Sequence, residues 1–263
     1  MTYYSSSLII LGIILIILIF AFGSAIFSFL NVVIYRLPKK LDFLRGRSMC
    51  PKCAHTLSFF DLVPILSWVA LKGKCRYCHE KISVRYTIVE IMGGIAAVAS
   101  VLVFEFTPRA IFSFAMCGII VCVAYIDYDT MEIPDAFHIA ILAVGVLSVF
   151  LTDYASWYEH LIGVVAVSVP MLIIALIVPG GFGGGDIKLM AACGLYLGWR
   201  SVVFAFFVSV IIGGISALIM VTSGKKKRRD YIAFGPYLCI GVAAAIFIGD
   251  FITEYYLGAV FGL

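Results

Sequence analysis

Charge is scarce in this sequence. Of 263 residues only 13% are Asp, Glu, Lys or Arg, while 63% are hydrophobic. A soluble domain carries about a quarter charged residues. With a mean hydropathy of +1.11, the chain has more apolar surface than one folded domain can hide from water. A soluble fold is excluded, and the bilayer must serve as the solvent. Internal repeats and low-complexity tails are also lacking. No cation precedes the first apolar run, roughly Leu8 to Ile34, and no small-x-small cleavage site follows it. The run is far longer than a signal-peptide core, so it is expected to stay as a transmembrane helix.

What is abundant is apolar runs. Others lie at roughly 87–104, 110–126, 136–151, 158–178, 187–198, 201–222 and 231–249. Crossing a bilayer takes about 20 residues. Most runs qualify, and the short one at 187–198 needs help from its glycine-rich entry or a re-entrant path. The expected fold is an all-α integral membrane protein of about eight transmembrane helices with a small zinc-binding cytoplasmic loop. Its parts are a first transmembrane helix (1–35), a four-Cys loop domain (36–86) and a polytopic membrane core (87–263).

The sparse charges are unevenly placed. Eleven of the nineteen Lys and Arg fall between Arg36 and Arg85, and five more form "KKKRR", Lys225 to Arg229. The positive-inside rule puts both segments in the cytoplasm. Eight crossings satisfy both clusters and seven do not, which leaves both termini outside. The turn at 152–159 then lies outside with Asp153 and Glu159, and Trp157 and Trp199 fall at outer boundaries, where aromatic belts form.

Two acidic segments land on the inner face. One is "AYIDYDTMEIPDAF", with Asp127, Asp129, Glu132 and Asp135, and the other is "GGFGGGDIKL", with Asp186. A carboxylate beside a membrane segment is expensive and usually functional. Two brought close share one proton, so that one acts as acid and the other as base; such a pair hydrolyses peptides without a metal. Gly183, Gly184 and Gly185 would let the backbone turn and an extended substrate approach. The plainer reading is equally open from spacing alone: Asp186 as a helix N-cap and Asp127 as a solvated helix end. Asp135, following Pro134, reads as a cap, and Asp129 and Glu132 as solvated charges. Lys188, two residues from Asp186, faces elsewhere on its helix and is expected to snorkel to the interface.

Cys50, Cys53, Cys75 and Cys78 form two CxxC pairs separated by 21 residues. In a reducing cytoplasmic loop they point to one structural Zn²⁺ rather than disulfides, and four thiolates leave no open position for catalysis. Cys117, Cys122, Cys193 and Cys239 lie in apolar runs as small packing residues. Glu90, a short way into the second run, is either a functional group or the partner of a nearby cation such as Arg85. Pro170 is expected to bend its span.

Five stretches in order, "FLNVVIYRLP", the CxxC pairs, "DLVPILSWVALKGKCRYCHEKIS", "IDYDTMEIPD" and "GGGDIKLMAACGLYLG", resemble the bacterial type IV prepilin peptidases, from about Gly23 to Trp199. These are intramembrane aspartic proteases named for a Gly-x-Gly-Asp motif, here Gly183-Gly184-Gly185-Asp186. The resemblance implies catalytic aspartates at Asp127 and Asp186. It also implies cleavage of prepilin or pseudopilin leaders at the cytoplasmic face of the inner membrane, and N-methylation of the new terminus from S-adenosylmethionine. Two departures stand out: Phe27 replaces a usual glycine, and "AFHIAIL" replaces the usual residues after Pro134-Asp135. Membrane lipids are the expected surface partner and nucleic acid is not; "GGFGGGD" follows no strand, so it is not a nucleotide loop. Two other classes fit parts of the pattern. One is a transporter or channel using membrane acids as an ion relay; the other is a zinc-loop scaffold with dispensable aspartates.

Overall fold

The computed structural model describes residues 2–43, 45–152, 155–178, 180–224 and 232–261. Asp153 and the cluster Lys225 to Arg229 lie outside them. The described residues form helices α1 (Thr2–Arg36), α2 (Leu66–Ala70), α3 (Val84–Phe104), α4 (Pro108–Thr130), α5 (Asp135–Leu151), α6 (Trp157–Ala166), α7 (Ser168–Ile177), α8 (Gly184–Thr222) and α9 (Gly235–Phe261). Among the described residues there is no strand, only isolated bridges at Met49–Thr56 and Lys74–Lys81. The chain divides into two compact units, Met1–Glu105 and Phe106–Leu263.

In the first unit α1 packs against α3, and the loop between them carries the CxxC pairs. Small residues allow the helices to approach closely: a Cβ on Gly93 would overlap the Phe27 ring. Phe27 is completely buried. The large side chain that departs from the family pattern is thus accommodated by a glycine on the facing helix.

In the second unit, α6 and α7 form one apolar stretch broken at Val167. Pro170 accounts for the break. It has no N–H for the Ala166 carbonyl four residues back, and its ring crowds that carbonyl. At 39 residues, α8 would run about 58 Å if straight, nearly twice the hydrocarbon thickness. It is not straight. Gly198 has φ +73° and ψ 169°, a non-helical conformation open to glycine. Phe182 and Phe206 then meet with ring centroids 6.0 Å apart, whereas 24 residues of straight helix would separate them by about 36 Å. The apolar run at 187–198 is therefore the first arm of a helical hairpin. Gly163 of α6 touches Gly194 of this arm backbone to backbone, and the second arm packs against α9 through Gly241, which meets Ala205 and Ser209.

Among the described residues, six helices are long and apolar enough to cross a membrane, counting α6 and α7 as one and α8 as one; α5 is shorter, at 17 residues. The chain is a multi-pass membrane protein. The second unit has two chemically distinct ends. At one, Arg109 pairs with Asp250, Ser201 Oγ donates to Asp250 at 3.2 Å, and Arg200 lies 3.6 Å from Glu159. These residues, with Trp199, line a cavity of about 170 Å³. At the other end lie Asp127, Asp186 and the start of α9. Cys117, Cys122, Cys193 and Cys239 are all buried within this unit, as expected of packing residues.

Candidate active site and metal centre

Asp127 sits in the last turn of α4 and Asp186 in the first turn of α8. They are 5% and 9% exposed. The two groups lie within Coulombic range of each other. Each lies against the backbone of a glycine. The Gly235 N–H, at the start of α9, donates to Asp127 Oδ2 at 3.0 Å. The Asp186 carboxylate lies beside Gly183. Asp186 is the third residue of α8, and its carboxylate lies close to Gly183, the residue that caps the helix. The helix end and the site therefore share this side chain.

Gly235 was not singled out by the sequence, although "FGPY" before the last apolar run is a turn signal. A Cβ there would lie 2.6 Å from Asp127 Oδ2, so glycine is required by the close approach of backbone to carboxylate. At Gly185 a Cβ would make ordinary contact with Ile133, 3.4 Å away, and at Gly183 it would lie 3.2 Å from Asp186 Oδ2.

The surroundings of Asp186 differ from expectation at two residues. Asp135 does not cap α5. The cap position is Pro134, and the Asp135 carboxylate instead lies 2.9 Å from Lys188 Nζ and 3.3 Å from His138 Nδ1. Lys188 thus reaches across to α5. His138 is buried, and its Nε2 is 3.1 Å from the Gly185 carbonyl. A carbonyl only accepts, so Nε2 is the donor. His138 was also missed by the sequence, because nothing local says that residue 138 meets residue 185. Asp129, in the last turn of α4, and Glu132, just after that helix, are exposed.

In the first unit, the Glu90 oxygens accept from Ser28 Oγ at 2.7 Å and from the Ile65 N–H at 2.8 Å. The four loop cysteines converge as the spacing predicts. Their sulfurs all lie within 4.8 Å of one another, and Cys50 Sγ and Cys78 Sγ are 3.8 Å apart. A tetrahedron with bonds of about 2.3 Å has edges of about 3.8 Å, so the cluster can hold a metal ion. Each pair is carried on a similar turn. The Cys50 N–H bonds the His55 carbonyl at 3.0 Å and the Cys75 N–H bonds the Glu80 carbonyl at 2.8 Å. Amides of Cys53 and Lys52 point at the Cys50 sulfur and bring its thiol down to about 7, toward the thiolate a metal needs.

Comparison with known proteins completes the picture. Residues 21–104 match the bacterial peptidase A24 N-terminal domain, and 114–218 match the type IV leader peptidase family. A prepilin leader peptidase/N-methyltransferase of Bacillus subtilis (strain 168) is 33% identical over 245 residues, 93% of this chain and 99% of that protein. One from Aeromonas salmonicida (strain A449) is 31% identical over 275 residues, covering 92% and 94%. Another, from Legionella pneumophila, is 29% identical over 265 residues, covering 90% and 92%. No solved structure is significantly similar. The first matched span holds the four clustered cysteines and the second holds both buried aspartates, and this chain belongs to the type IV leader peptidase family.

Proposed function

We propose that the chain is an intramembrane aspartic endopeptidase that removes the leader of type IV prepilins or pseudopilins, with Asp127 and Asp186 as its catalytic pair, and that it N-methylates the new terminus. The observation that carries the reading is the pairing of two buried carboxylates from different helices, each set against the backbone of a glycine. One aspartate keeps a proton and donates a hydrogen bond to the scissile carbonyl oxygen. The other takes a proton from water as the water oxygen attacks the carbonyl carbon. A proton then passes to the departing amine nitrogen as the C–N bond breaks. A substrate with a basic leader and an apolar helix would place its cut site where the bilayer ends, beside the two carboxylates. That stretch must unwind first, since helical amides are internally bonded, and glycine at the cut eases the unwinding.

With eight crossings, the positive-inside rule would put the four-Cys loop and the aspartates at the cytoplasmic face of the bacterial inner membrane, with both termini outside. Cys50, Cys53, Cys75 and Cys78 would hold Zn²⁺, which as a closed four-thiolate site serves to fold the loop. S-adenosylmethionine would supply the methyl group. The cavity at Arg109, about 170 Å³, is below the roughly 300 Å³ of small-molecule pockets and lies at the far end from the aspartates, so it does not fit the donor.

Asp127→Asn and Asp186→Asn should each lower leader cleavage by about 10³-fold or more, read by intact mass of a prepilin incubated with purified enzyme. Wild-type rates in either variant would remove the pair from the mechanism. Ion flux in liposomes without any cleavage by the wild type would favour the transporter reading instead.

A further inference from the structure

The loop between α1 and α3 is rich in cations and expected in water, yet one stretch of it is apolar and uncovered. Phe59 and Phe60 are 79% and 75% exposed, and Leu62, Leu66 and Val69 beside them are exposed as well. The backbone shows where this stretch goes. The Leu66 N–H donates to the Pro64 carbonyl at 2.5 Å, closing a tight γ-turn on Ile65, with φ 62° and ψ −53°. Such a turn is strained for a β-branched residue and persists only when something holds it. Glu90 does so, by accepting the Ile65 N–H.

That bond fixes a depth. Glu90 lies six residues into α3 from Val84, and Ser28, its other partner, lies eight residues before the end of α1 at Arg36. At 1.5 Å per residue these are about 9 Å and about 12 Å inward from the helix ends. The segment therefore folds back along the two membrane helices instead of standing above them. Its one acid is neutralised: Asp61 lies 2.6 Å from Arg76 Nε and also accepts from the Tyr77 hydroxyl at 3.3 Å. Trp68 Nε1 donates to the Ile82 carbonyl at 3.3 Å, bracing the far side.

We propose that residues 58–69 are an interfacial membrane insertion, with Phe59, Phe60, Leu62 and Leu66 seated at the acyl boundary of the leaflet that α1 and α3 enter. The occupant of this face is anionic lipid. Lys72 and Lys74 follow directly in sequence, and an apolar aromatic stretch beside cations is the pattern that binds such a surface. The part of the loop that carries the second Cys pair is thereby tied down at membrane level.

The test places a photoreactive benzophenone side chain at position 60, and separately at the exposed position 80, in the full chain. The protein is held in nanodiscs of phosphatidylglycerol and phosphatidylethanolamine, with a prepilin present. After illumination, lipid adducts are expected at 60 and not at 80. Cross-linking to the prepilin in place of lipid would assign the patch to substrate and overturn the proposal, as would equal lipid labelling at both positions or none at 60. A second measurement uses the unaltered chain. Chymotrypsin should cut after Phe59 or Phe60 in detergent but not in nanodiscs, and cutting at equal rates in both would also overturn the insertion.

Discussion

Cys50, Cys53, Cys75 and Cys78 are gathered by two short turns, in each of which a pair of sulfurs is fixed by residues next to them in sequence. Asp127 and Asp186 are gathered by helices whose approach depends on packing throughout the second unit, and the amide that holds Asp127 comes from residue 235. The first cluster is locally coded and can take an ion between its halves. The second is globally coded and needs no ion but tolerates little displacement. This difference sets how each should fail.

Removing the metal should have the largest effect, confined to the loop. Structural zinc sites contribute about 10 kcal/mol or more of apparent binding energy at neutral pH, so Cys50→Ser or a strong chelator should take metal content from about one per chain to near none and open 45–82 to protease. Melting of the membrane helices with the loop would break the contrast. Next, Gly235→Ala should lower leader cleavage by about 10²-fold, the scale of a misplaced catalytic group, while metal content stays at the wild-type level. Near-normal activity would mean that α9 can shift to make room for the new methyl. A smaller loss, about tenfold, is expected for His138→Ala, which removes one hydrogen bond to the Gly185 carbonyl. His138→Gln should recover most of it, because an amide N–H can donate to the same oxygen; failure of that rescue would argue for packing alone.

The smallest expected effect is a pH dependence in the loop. Burial alone would raise the Asp61 carboxyl, but hydrogen bonds from Ser58 and Arg76 outweigh it and hold it at about 2, below the ordinary 3.8. A carboxyl held down in this way stabilises the fold fully above about pH 4, and the contribution is lost as pH falls through about 2. It should be read as the wild-type minus Asp61→Asn difference in loop stability, in which acid loss of the metal cancels. A difference that grows on acidification would contradict the assignment.

The same contrast explains what was legible in the sequence. The cysteines could be read because CxxC fixes its own geometry, and the aspartates because Asp127 closes one apolar run and Asp186, after three glycines, opens another. The helical runs were legible from hydropathy, including the short one at 187–198, whose role as a hairpin arm depends on Gly198. Gly235 and His138 were not legible. Each matters only through a contact between helices, 108 and 47 residues apart in the chain. Asp135 was misread as a cap because helix starts favour Asp, whereas here Lys188 and His138 hold its carboxylate. Glu90 stood out as an acid in a membrane run, but its partner amide is exposed by a turn that no residue pattern announces.

The burial of Cys117, Cys122, Cys193 and Cys239 makes the unmodified protein its own occupancy gauge. A water-soluble thiol dye added to the folded chain would be blind to those four sulfurs and would colour only the loop, so dye uptake would rise as the ion leaves and fall as it returns, with no engineered label.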